Sequence, residues 1–147
     1  MTTDEAIFHT SRVVPATPEA VYRAFERPEL LARWWGPDGF TNTFEAFEFR
    51  VGGRWTFVMH GPDATDHPNR NVFVDLQPGR RVVIRHDCPP FFTLTVDLSA
   101  ADGGTLVSWE QAFDDVRTAR AVRSIVEPAN EQNLDRMARV LASTGDD

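Results

Sequence analysis

Hydrophobic positions along the chain change their period three times, and the changes mark out the elements. Ala6–Pro15 alternates and reads as a first strand. TPEAVYRAF then opens a helix: Thr17 caps it, Pro18 takes the first helical position and Glu19 suits the positive end. Ala20, Val21, Ala24 and Phe25 form its apolar stripe. PELLARWW is a second short helix from Pro28. Leu30, Leu31, Trp34 and Trp35 share one broad face, and Gly36-Pro37 ends it.

From Thr41 the period is two. Phe47, Phe49 and Val51 alternate with Glu48 and Arg50. Phe44 and Ala46 fall on the other parity, which predicts a bulge near Glu45. Gly52-Gly53 signals a hairpin, and Trp55, Phe57 and Met59 mark the next strand. HGPDATDHPNR reads as a long polar loop. Val72, Val74 and Leu76 give a further strand, Val82–His86 a fifth, and Phe92, Leu94, Val96 and Leu98 a sixth. Val107, Trp109, Gln111 and Phe113 lie on one face of a seventh. After Asp114-Asp115 the pattern is helical across Arg117–Ala142, roughly 39 Å at 1.5 Å per residue. Val122, Val126, Asn130, Leu134, Met137 and Leu141 share a stripe, which Pro128 should kink. The predicted class is α+β. One large antiparallel sheet with one apolar face and one long helix is stable if the sheet curves round the helix.

Composition narrows the function. The chain has 147 residues and a net charge of −7, which argues against nucleic acid. All 15 basic residues are arginine, so Schiff-base and lysine-base chemistry is excluded. Cys88 is the single cysteine, so no internal disulfide forms. Its neighbours His86 and Asp87 invite a nucleophile reading, against that of an incidental thiol in a reducing compartment. MTTDEAIFHT lacks the basic region and apolar run of a signal peptide, and no apolar run is long enough to span a membrane. The expectation is one cytoplasmic domain over residues 1–147 with its core at about 6–141, monomeric or homodimeric, without cofactor. His60, Asp63, Asp66 and His67 lie close in sequence but match no tight metal motif, and no metal is expected. Arg117, Arg120 and Arg123 form one solvated helix face, expected to meet Asp114 or Asp115.

RWWGPDGF, EFRVGGRWTFVMHGPD, PNRNVF and VIRHDCPPFFTLTV, in this order, resemble the bacterial family named for homologues of an activator of the heat-shock-protein-90 ATPase. That family is part of the START-like (SRPBCC) superfamily, which includes polyketide cyclases. The resemblance covers about residues 6–141. It implies a helix-grip fold: a seven-stranded antiparallel sheet wrapped round the C-terminal helix, two short helices between strands 1 and 2, and an apolar cavity between sheet and helix. Relatives typically carry Gly-Trp where this chain has Ala129 and Asn130, which implies a roomier cavity here with a polar group on its helix wall.

Parity on the predicted strands then gives candidate ligand-binding residues. They are Trp55, Phe57 and Met59; Val74; His86; Phe92; Trp109, Gln111 and Phe113; with Val126, Asn130 and Leu134 from the helix. Trp34 and Trp35 either both pack, or Trp35 faces the cavity as part of a lid with Phe40, freed by Gly36 and Gly39. His86, Gln111 and Asn130 are the polar exceptions on an apolar lining and suit a ligand carbonyl or hydroxyl. The primary expectation is binding of a small apolar or aromatic molecule. Two alternatives stay open: a polyketide cyclase/dehydratase-like enzyme in which His86 and Gln111 polarise a carbonyl, with no catalytic residue assignable, and a chaperone-associated interaction protein.

Overall fold

The computed structural model describes residues 4–144. A 3₁₀ turn at Asp4–Ala6 leads into β1 (Ile7–Val14), then α1 (Pro18–Glu26) and α2 (Pro28–Trp34). Six strands follow: β2 (Thr41–Phe47), β3 (Arg54–His60), β4 (Asp66–Gln77), β5 (Arg81–His86), β6 (Phe92–Ala101) and β7 (Gly104–Phe113). α3 spans Val116–Thr144 and continues through Pro128 without a break. All pairings are antiparallel, in the order β1-β7-β6-β5-β4-β3-β2. The architecture is the helix-grip fold: one sheet, one long helix against it, two short helices at one end.

Local chemistry sets the boundaries. The Ala20 amide donates to Thr17 Oγ1 at 3.1 Å and starts α1. Arg27 closes α1 and opens α2. α2 stops one residue earlier than the pattern predicts, because Trp35 is already extended and Gly36 takes φ +97°. This lets adjacent indoles be buried in different directions. Trp34 stands edge-on to Phe25 at 4.9 Å and donates Nε1–H to the Ala24 carbonyl at 3.0 Å. Trp35 packs on Trp55 of the sheet at 4.8 Å.

The expected bulge lies between Phe44 and Ala46. A second, unexpected one lies between Phe73 and Asp75. It corrects the reading of β4. Asn71 and Phe73 point inward, Val74 points outward at 48% exposed, and after the bulge Leu76 packs on the core. The long polar loop is also corrected. His67, Pro68, Asn69 and Arg70 are strand residues, paired with Met59, Val58, Phe57 and Thr56. Phe49 and Val51 lie beyond β2; Phe49 packs edge-on against Phe73 at 5.0 Å, while Val51 is exposed.

α3 is held at its two ends and less so between. Ala119 packs with Ala6, Phe8 and Phe113 in one apolar cluster. Leu134, Met137, Val140 and Leu141 join the main core. Between these ends the helix is exposed or half-buried, and Ile125 is 70% exposed. Arg12 of β1 pairs with Glu131 and Asp135 on α3. Of the arginine face, Arg117 sits at Asp115 as expected, its amide donating to Oδ1 at 3.3 Å, while the other two meet different partners. Arg120 bonds Glu5 at 2.7 Å, and Arg123 bonds Glu127 at 3.0 Å while covering the Phe8 ring. Asp114 instead takes a forked pair from Arg85, and Asp115 caps α3 through Thr118.

The turn after α2 is fastened to α3 by side chains. Arg136 Nη1 donates to the carbonyls of Trp35, Gly36 and Pro37 at 3.2, 2.9 and 2.8 Å. Its Nη2 donates to Arg33 and Phe40 carbonyls, both at 2.9 Å. Burial pulls the Arg136 pKa down, with Asp38 acting the other way. Asn133 donates to the Trp34 carbonyl and accepts from the Gly36 amide, and Gln132 accepts from the Asp38 amide. Arg136→Met keeps the stem and removes every donor. It should cost about 2–4 kcal/mol in urea unfolding, and Arg136→Lys should recover less than half, since three donors on a point charge cannot span the fork. A loss below about 0.5 kcal/mol for Arg136→Met would contradict this.

Candidate functional site

Where α3 is unsupported, a cavity of about 270 Å³ opens between it and the sheet. Strand register builds its floor. One row runs Trp55, Asn71, His86, Phe92, Phe113 across β3 to β7, and the next runs Phe73, Ile84, Leu94, Gln111. Side chains of one row share a face because strand side chains alternate. The floor is therefore apolar with a polar stripe.

Of the expected site residues, Trp35, Phe57, Met59, His86, Phe92, Trp109, Gln111, Val126 and Asn130 line this cavity together. Five do not. Val74 is on the outer face of β4. Trp55 is fully buried beneath the lining, stacked on Phe57 at 4.5 Å. Phe113 belongs to the second cluster, 5.3 Å from both Phe8 and Phe92. Leu134 is fully buried in the main core, about one turn beyond Asn130. Phe40 leans towards His67, 6.0 Å away. Trp35 thus faces the cavity, but the turn that carries it is fastened by Arg136 and Asn133 rather than left free as a lid.

Eight lining residues were not expected in the site: Gly36, Pro37, Asn69, Asn71, Pro90, Leu94, Ala129 and Asn133. Leu94 shares its register position with Gln111, and that parity was legible. Asn69 and Asn71 were hidden by reading their segment as a loop. Asn133 lies three residues after Asn130, the spacing of one helix face, and its polarity disguised its burial.

The lining contains no Asp, Glu or Arg; its polar side-chain groups are amides, one imidazole and the indole N–H groups of Trp35 and Trp109. His86 is stacked flat on Phe92, with centroids 4.5 Å apart. Its Nδ1 donates to the Pro90 carbonyl at 2.7 Å, because a carbonyl only accepts. Nε2 faces the Asn69 side-chain oxygen at 2.7 Å and the Cys88 thiol at 3.5 Å. Asn69 Nδ2 donates to the His67 carbonyl, so the Asn69 oxygen only accepts and bonds Nε2 when that nitrogen carries a proton, whereas in the neutral ring with Nδ1–H only the thiol can donate to Nε2. Burial pushes the His86 pKa below its ordinary value, more than the backbone groups of Pro90 and Cys88 raise it. With both nitrogens engaged, neither is free to act as a base unless a partner leaves.

Across the cavity Asn130 Nδ2 donates to Gln111 Oε1 at 3.0 Å and ties α3 to β7. Asn71 Oδ1 and the indole N–H groups of Trp55 and Trp109 are buried with no partner among the described residues. The His60 cluster is spread along exposed backbone. His60 bonds Asp66 and Thr43, and Asp63 accepts from the Thr65 amide. No helix among the described residues is long and apolar enough to cross a membrane.

The family model described as Activator of Hsp90 ATPase homolog 1-like protein matches residues 15–142. Solved structures share the fold. A protein from Nitrosomonas europaea is 17% identical with a TM-score of 0.87, covering 98% of this chain and 99% of that one. One from Arthrobacter aurescens is 22% identical with a TM-score of 0.88, covering 97% and 90%. An AHSA1-like protein from Aeromonas hydrophila is 20% identical with a TM-score of 0.75, covering 95% and 94%. Among curated proteins nothing matches.

The His86 geometry sets a pH dependence. Its pKa is lower folded than unfolded, so below about 6.5 the unfolded chain takes up the proton first. Stability is whole above that pH and falls as pH drops towards the folded pKa. His86→Gln should make the fall in unfolding free energy between about pH 6.5 and 5.5 shallower than in wild type. Identical slopes would show that His86 does not titrate as described.

Proposed function

The chain belongs to the Activator of Hsp90 ATPase homolog 1-like protein family, and on that premise we propose that it binds a small apolar or aromatic molecule between the sheet and α3. One observation carries this reading: a cavity walled by Trp35, Phe57, Phe92, Leu94, Trp109 and Val126 lies between two well-packed clusters under one helix. Rings and aliphatic groups on several sides suit a flat apolar guest, which gains by leaving water. The volume suits one or two fused rings rather than a lipid chain. A guest of about 11 non-hydrogen atoms, at an efficiency of roughly 0.5 kcal/mol per atom, would bind with a Kd on the order of 100 µM.

The engaged ring nitrogens of His86 give the cyclase reading no support beyond the shared cavity. The chaperone reading finds little either. The exposed large apolar side chains Val13, Val51, Val74, Phe91, Leu106 and Ile125 are distributed over strands, loops and α3 rather than along one element. Ala129→Phe puts a ring into the cavity from the helix side. Wild type should bind 2-naphthol in calorimetric titration, with changed emission from Trp35 and Trp109. The variant should bind at least about tenfold more weakly with unchanged far-UV circular dichroism. Equal affinity in a folded variant would place the naphthol elsewhere.

A further inference from the structure

Asn71 is 3% exposed, lines the cavity, and has no hydrogen-bond partner for its side-chain oxygen. Its register neighbours are Trp55 and His86, and neither satisfies it. A buried amide left unpaired destabilises the fold that contains it. An apolar residue of similar size would pack there without that cost. The amide also carries an acceptor on one end and a donor on the other, the complement of a hydroxyl or a carbonyl. On the far wall of the same cavity, the Gln111–Asn130 bond uses one end of each of those amides. The opposite ends, Gln111 Nε2 and Asn130 Oδ1, have no partner among the described residues.

Charge points the same way. A carboxylate or ammonium entering this cavity would lose its hydration and meet no opposite charge, since the lining has no acidic residue and no arginine. The side chain that titrates most readily in the lining, His86, is held towards neutrality by burial. Aromatic walls with amide anchors suit an uncharged ring that carries oxygen.

Resting on the cavity reading above, we propose that the preferred ligand is an uncharged aromatic molecule bearing a hydroxyl or carbonyl oxygen, and that the Asn71 amide holds that oxygen. The naphthalene ring then lies among Trp35, Phe57 and Trp109, and its oxygen faces β4.

Three probes of one shape separate the possibilities: 2-naphthol, 2-naphthoate at pH 7.5, and 2-methylnaphthalene, each titrated calorimetrically into wild type and Asn71→Leu. Wild type should bind 2-naphthol about tenfold more tightly than either of the others. In Asn71→Leu the naphthol-to-methylnaphthalene ratio should fall to about one, and the ligand-free melting temperature should rise by several degrees. A merely structural asparagine would instead lower the melting point when replaced. A variant that melts earlier or does not fold makes Asn71 structural and overturns the assignment, as does an unchanged ratio. Equal binding of all three probes to wild type overturns this selectivity and leaves the cavity reading standing. Binding of none overturns both.

Discussion

The guanidinium of Arg136, set among five backbone carbonyls of residues 33–40, fastens the turn after α2 to the C-terminal half of α3. A planar fork with five N–H groups is one of few side chains able to satisfy so many diverging carbonyls at once. Those carbonyls diverge because α2 ends at Trp34 and the chain turns sharply through Gly36-Pro37-Asp38-Gly39. The same turn sends Trp34 into the helical end of the core and Trp35 over the sheet. With Asn133 and Gln132 it fixes where α3 lies above the strands. At its other end α3 is fixed by Asp115 and by Ala119 in the second cluster. A long helix held at both ends over the sheet leaves a gap beneath its middle, and that gap is the cavity.

Its walls are finished with uncharged polar groups. The Asn130–Gln111 bond crosses the gap, and His86 is held between Pro90 and Asn69. Such groups are costly when unpaired and orienting when paired. The contrast between Asn133, which satisfies the turn, and Asn71, whose oxygen satisfies nothing, separates structural amides from available ones.

Much of this was legible in the sequence because it is local. The Thr17 cap, the proline starts of α1 and α2, the bulge beside Phe44, and the switches of period depend on neighbours in the chain. Eight site residues followed from strand parity and the long-helix stripe, and Trp35 from the end of the second short helix. β4 misled because a second bulge reverses parity after Phe73, so Val72, Val74 and Leu76 look like one face and are not. The polar start of that strand looked like loop because its inward residues are asparagines serving the cavity. Arg136 gave no local sign of its role. Its partners lie 96 to 103 residues away, and an arginine on a helix ordinarily reads as solvated.

Xenon tests the cavity directly, since it enters apolar space and needs no hydrogen bond. In crystals of the protein pressurised with xenon, density is expected between Phe57, Leu94, Trp109 and Val126, with the turn at Gly36-Pro37 unmoved. Density absent there, with those side chains closed on one another, would contradict the account.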